Sequence, residues 1–170
     1  MRGQLFSYDL LLSAVFVIFL IMLYILTTNT LVAEMDVAEL RTEMEEVAQT
    51  AADSLLRTPG DPSNWELFPI TENGTRSLGL ANSQSELDPE KVDRFFSITS
   101  GSAEYNATLP ILGLAGRAYR YNATLEALNG TILAALNSDP PDGTAQLVVV
   151  ERFARYNGTV VRFRMVVWRE

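Results

Sequence analysis

Five asparagines stand two residues ahead of a threonine, at Asn73, Asn106, Asn122, Asn129 and Asn157. In an exported chain the Asn-x-Thr triplet is the acceptor for an N-linked glycan, so each marks a candidate surface attachment point. Chance would place about one such triplet among so few asparagines, and the excess points to glycosylation. Two of the five have a second explanation. Asn129-Gly130 and Asn157-Gly158 lie between apolar runs, where two-residue hairpin turns need the positive φ that Asn and Gly reach at low cost. Asn122 lacks that explanation, because it shares with Thr124 the polar side of an alternating segment.

Other chemistry is sparse. The chain has no histidine, no cysteine, no glycine-rich phosphate loop and no nucleophile motif, so no enzymatic activity is expected. Asn137, Asp139 and Asp142 before Gly143 offer oxygen donors, but they miss the calcium-loop spacing and two prolines intervene, which makes them a solvated turn. No cofactor or metal is expected. Trp65 and Trp168 read as core and sheet residues. A net charge of −8, with Lys91 the only lysine beside twelve arginines, excludes nucleic acid as a partner, since phosphate binding needs a basic patch. Asp9 is the remaining reactive group, a carboxylate at the edge of a long apolar run, where it sits at the headgroup level or pairs with a cation from another subunit.

The elements that must position these residues begin with that run. From Leu10 to Ala33 no formal charge occurs. At ~1.5 Å per residue the run spans about 36 Å, enough to cross the ~30 Å hydrocarbon core of a bilayer. It is too long for the apolar region of an ordinary secretory signal and is expected to be retained in contact with membrane lipid. Arg2 precedes it while Glu34, Asp36 and Glu39 follow, so the positive-inside bias puts the start in the cytoplasm and the remainder outside the cell membrane.

Behind the span Leu40, Met44, Val47, Ala48, Ala51 and Leu55 recur at helical spacing among charged residues, and the helix is expected to continue from about Leu5 to Leu56. Thr58-Pro59-Gly60-Asp61-Pro62 ends it. The expected organisation is therefore 4–33 as the apolar helix, 34–57 as its amphipathic continuation and 58–170 as a globular head. In the head, Asp88 caps and Pro89 starts a short helix to Phe96, with Val92, Phe95 and Phe96 on its buried side. Ala118 to Leu128 alternate as a half-buried strand, and two hairpins follow. A two-residue turn at Asn157-Gly158 pairs Tyr156 with Thr159, Val150 with Met165 and Glu151 with Arg164. Val148, Val150, Ala154, Val161, Phe163, Met165 and Val167 then share one apolar face, interrupted by Arg152, that can cover the helical stripe. The fold class is α+β, a long helix laid on an antiparallel sheet.

Arg2-Gly3-Gln4, followed by Ser7-Tyr8-Asp9 and a long apolar helix, resembles the class III signal peptide of archaeal type IV pilin-like proteins. The head adds a weaker likeness: Leu56-Arg-Thr-Pro-Gly-Asp-Pro-Ser-Asn-Trp65, Leu78-Gly-Leu80, Leu87-Asp-Pro-Glu-Lys-Val-Asp-Arg-Phe95 and Tyr105-Asn-Ala-Thr-Leu-Pro-Ile-Leu-Gly113 resemble the order found in uncharacterised secreted archaeal members. The resemblance implies a pilin-like fold and residues 1–3 as a leader that a prepilin peptidase removes, cutting between Gly3 and Gln4. It implies that Asp9 meets the amino terminus of a neighbouring helix. The expected function is that of a structural subunit of a surface filament, in contact with like subunits or other pilins through the helix, with the head outside for adhesion. The alternative is an accessory minor pilin or pseudopilin, or a signal-anchored surface protein, that does not polymerise alone.

Overall fold

The computed structural model describes residues 3–71, 74–82, 86–136, 140 and 146–169, with the side chains of 3–7, 9, 29–37 and 117 left out. Two compact units divide the chain, residues 1–40 and 41–170.

Helix α1, Gly3–Arg57, contributes to both units. In the first unit its stretch Leu10–Thr28 has a mean hydropathy of 2.8 and none of it is buried. Branched and aromatic side chains cover every side of this segment, and its two threonine hydroxyls are satisfied locally. Thr27 donates its hydroxyl to the Leu23 carbonyl at 2.8 Å and Thr28 donates to the Tyr24 carbonyl at 2.7 Å. Such back-bonding leaves neither threonine hydroxyl in need of water. Among the described residues this is the one helix long and apolar enough to cross a membrane, a property that membrane anchors share with signal sequences.

In the second unit α1 becomes one-sided. Met44, Ala48, Ala51, Ala52 and Leu55 are at most 1% exposed, while Glu46, Gln49 and Thr50 face solvent. Leu40 and Val47, expected in the buried stripe, are only half-buried. The helix ends where Thr58 bonds back to the Ser54 carbonyl through both its amide and its hydroxyl, ahead of Pro59. The chain then crosses itself closely: Gly79 packs on Thr58, and a Cβ there would collide with the Thr58 carbonyl. The Gly79 carbonyl accepts the Trp65 indole N–H at 2.9 Å, which anchors the wholly buried indole.

Two short helices follow, α2 (Pro89–Phe96) and α3 (Ala103–Ile111). The first is the helix expected from its cap: an Asp88 oxygen accepts the Glu90 amide at 3.0 Å. Val92 and Phe95 are buried, but Phe96 is only half-buried. The sequence reading did not place α3. Ser102 caps it by accepting the Tyr105 amide at 3.1 Å, and Pro110 falls in its last turn. Lys91 on α2 is 4% exposed and donates its ammonium to the Pro59 carbonyl at 2.7 Å, tying α2 to the segment behind α1.

The five strands are β1 (Glu86–Leu87), β2 (Tyr119–Ala127), β3 (Ile132–Ala135), β4 (Leu147–Tyr156) and β5 (Thr159–Arg169), in the order β1-β4-β5-β2-β3. All neighbours are antiparallel except the short pair β1 and β4. The β4–β5 hairpin has the register expected from its turn: Tyr156 opposite Thr159, Glu151 opposite Arg164, Val150 opposite Met165. Asn157 and Gly158 take φ of 50° and 75°. The β2–β3 connection corrects the other expected two-residue turn. Glu126 pairs with Ile132 across a bulge, so a longer loop intervenes, and Asn129 uses its side chain to accept the Thr131 amide at 3.0 Å.

The strand registers divide the sheet into two faces. Tyr121, Ala123, Leu125, Val148, Val150, Val161, Phe163, Met165 and Val167 point inward and are buried. Arg152 lies among them and reaches Asp53 on α1 at 2.9 Å, which sets that half of the helix over the inner face. Phe95 and Tyr105 stack on Tyr121 at 6.4 and 5.1 Å from the same side. Where β3 no longer flanks β2, the Tyr105 hydroxyl takes its place: it donates to the Tyr121 carbonyl at 2.8 Å and accepts the Tyr121 amide at 3.0 Å. Burial pushes the Tyr121 phenol well above its ordinary value, and its hydroxyl pairs with Thr108 at 2.8 Å.

Candidate functional site

Gly3 and Gln4 form the first positions of α1 as described, and Asp9 lies on the same helix just ahead of Leu10. The side chains of Gln4 and Asp9 are outside the described residues. So are Asn73 and Asn137, Asp139 and Asp142, where a solvated turn was expected.

The four remaining asparagines of the Asn-x-Thr triplets occupy different surroundings. Asn106 is exposed on α3, but the Thr108 of its triplet is fully buried, its hydroxyl donated to the Tyr105 carbonyl at 2.7 Å. Asn122 and Thr124 are half-buried on the outer face of β2. Asn129 and Asn157 are exposed in connections. The pairing of Ala127 with Val161 brings the β2–β3 and β4–β5 connections to the same end of the sheet. Those two asparagines therefore share one rim, a proximity that follows from the register and not from their positions in the sequence.

The outer face is not a simple solvated surface. Ile132, Leu147, Val149, Phe153 and Val160 are between 40% and 68% exposed on it. A groove of about 340 Å³ runs between β2 and the far end of β4, lined by Thr124, Ile132, Leu147, Val149, Arg164 and Val166 among others. Four arginines stand on this face, Arg120, Arg155, Arg162 and Arg164, among three carboxylates, Glu86, Glu126 and Glu151. Glu126 is held by Arg162 at 2.5 Å, an ion pair that keeps the Arg162 guanidinium protonated to still higher pH than usual. Arg164 lies 3.9 Å from Glu151 and remains 45% exposed. The face thus interleaves exposed apolar side chains with arginines and carboxylates that pair with one another. Sequence reasoning assigned the β4–β5 faces correctly but singled out only the inner one. The signal for the outer one was present in the alternate residues Leu147, Val149 and Phe153, apolar where a solvated face should be polar.

A third feature is polar. Asp53, Leu56, Arg57, Arg152, Phe153 and Ala154 line a hollow of about 400 Å³ where α1 meets β4. Asp53 is shared by Arg152 at 2.9 Å and Arg57 at 4.0 Å, so its carboxylate is already committed to fixing the helix on the sheet. Among the described residues no group of three or more His, Cys, Asp or Glu converges to hold a metal ion.

The chain matches no protein-family model, no curated protein and no solved structure.

Proposed function

We propose that the protein is a structural subunit of a surface filament of the type IV pilin kind, held in the membrane by α1 before assembly and packed with like subunits through that helix afterwards. The observation that carries this reading is the change of character within α1: Leu10–Thr28 is apolar on all sides and unburied, whereas the segment from Met44 to Leu55 is apolar on one side and covered. An apolar segment without cover in its own unit requires lipid or other helices. The same helix can use both in turn. In this reading Gly3 is the last residue of a leader, a prepilin peptidase frees Gln4, and Asp9 compensates a neighbour's amino terminus, because an unpaired carboxylate in an apolar bundle is strongly disfavoured. The head carries glycans and contributes no catalysis.

Mass spectrometry of the amino-terminal peptide from native cells, comparing membranes with sheared surface material, tests it. A chain beginning at Gln4 in the sheared fraction is the expected result. A chain still carrying residues 1–3 and confined to membranes would overturn the filament reading and leave a signal-anchored surface protein.

A further inference from the structure

The Asn-x-Thr triplets are equal in the sequence and unequal in the fold. N-linked transfer joins the asparagine amide nitrogen to the anomeric carbon of a sugar carried on a lipid phosphate. The bond from that carbon to the phosphate oxygen breaks, the lipid phosphate leaves with the electron pair, and the amide gives up one proton. The hydroxyl two residues on is part of what the transferase recognises. An acceptor must therefore offer amide and hydroxyl together, on backbone that can be drawn into a cleft.

Two triplets of the folded head fail that requirement. Asn106 is exposed, but its Thr108 is 0% exposed, with a hydroxyl that donates to the Tyr105 carbonyl at 2.7 Å and pairs with the Tyr121 hydroxyl at 2.8 Å. Reaching it means unwinding α3 and lifting Tyr105 from the Tyr121 ring, on which it stacks at 5.1 Å. Asn122 and Thr124 are half-buried inside the sheet, opposite Val166 and Arg164 of β5, and Thr124 also faces Ala135 of β3. The Asn122 amide oxygen is enclosed. Two other triplets meet the requirement, because Asn129, Thr131, Asn157 and Thr159 are all exposed. The Asn129 side-chain oxygen accepts the Thr131 amide at 3.0 Å and so draws the two ends of its triplet together. Thr159 keeps its exposed hydroxyl at the tip of the β4–β5 hairpin, 2.9 Å from the Tyr156 carbonyl. Beside these triplets Leu128 is 66% and Val160 47% exposed, apolar surface that attached sugars would cover.

We infer that the fold selects the glycosylation sites: transfer follows folding, the head accepts sugar at Asn129 and Asn157, and Asn106 and Asn122 stay bare. The glycans then stand together at one end of the sheet, where the register brings the β2–β3 and β4–β5 connections side by side. The inference rests on the glycosylated head of the function proposed above, to which it adds the sites and the order of events. Asn73, outside the described residues, takes no part in it.

Mass spectrometry of the full chain from native cells tests it, since cutting after arginine and glutamate puts these four triplets on separate peptides. Sugar on the Asn129 and Asn157 peptides and none on those of Asn106 and Asn122 is expected, and Thr131→Ala and Thr159→Ala should each remove one glycan. Tyr105→Ala uncovers Thr108 and should raise occupancy at Asn106 about tenfold or more. If that chain does not accumulate, Ser102→Ala, which removes the cap of α3, should raise it about fivefold. Asn106 or Asn122 modified in the parent chain as fully as Asn129 and Asn157 would overturn the inference, and so would an accumulating Tyr105→Ala chain with Asn106 still bare. The amino-terminal peptide of the same digest reads the filament separately. Bare Asn129 and Asn157 on a chain that begins at Gln4 would overturn the inference and leave the filament standing. The expected pattern on a chain that keeps residues 1–3 would support the inference and overturn the filament.

Discussion

Arg94 meets a Glu104 oxygen at 2.5 Å, joining α2 to the first turn of α3. That hydrogen bond is the main reason the Glu104 carboxyl is held below its ordinary value, with partial burial opposing it. A carboxyl depressed on folding contributes stability above its unfolded value, about 4.3, and loses that contribution as pH falls through the folded one. Glu104→Gln should therefore cost about 0.5–1 kcal/mol at pH 7, the scale of a partly exposed pair. The difference from the parent chain should shrink as pH falls below the unfolded value and the carboxyl takes up its proton, and urea melts across that range measure it. Neither this pair nor Arg152 with Asp53, 99 positions apart, was legible in the sequence. In the sequence Arg152 reads as an interruption of an apolar face. Its partner is chosen by how the helix crosses the sheet, which no local pattern encodes.

Elements were legible where local chemistry left one solution. Asn157 and Gly158 both reach positive φ, a two-residue turn follows, and the turn sets the register of every pair back to Leu147 and Trp168. The same dipeptide at Asn129-Gly130 misleads because Asn129 satisfies the Thr131 amide with its side chain, and only Gly130 of the pair takes a positive φ. Helix α3 was hidden because Asn106, Thr108 and Pro110 are poor helix formers. Packing overrides them: Tyr105, Ala107, Thr108 and Leu109 are all buried, and the Tyr105 hydroxyl completes the edge of β2. The stripe on α1 was read correctly in its centre. Its use of Ala48, Ala51 and Ala52, each at most 1% exposed, means that no side chain longer than a methyl separates the helix from its cover there. Ala52→Leu should cost about 1–3 kcal/mol by overpacking. A lower urea midpoint with an unchanged slope is the expected signature.

At the scale of the molecule, apolar surface is segregated. The apolar stretch Leu10–Thr28 has no cover within its own unit, and the outer face of the sheet keeps Leu147, Val149 and Phe153 exposed. Retention of α1 predicts that the full chain stays with membranes through an alkaline carbonate wash, and that a chain lacking residues 1–40 is released. Release of the full chain would mean that the apolar helix is removed as a signal and is no anchor. The sequence located this segment without ambiguity because length and apolarity are enough to define it. It did not reveal that Asn129 and Asn157 share one rim, since their proximity depends on the pairing of β2 with β5.

Lys91, the single lysine, keeps its ammonium beneath the Pro59 carbonyl, and the chain has no thiol. The described surface of the head thus offers acylating and alkylating reagents neither a side-chain amine nor a sulfur while α2 and the Pro59 segment stay together. Any side-chain amine that does react reports that they have parted, so the rate of Lys91 acylation is a clock for the opening of this joint in the intact protein.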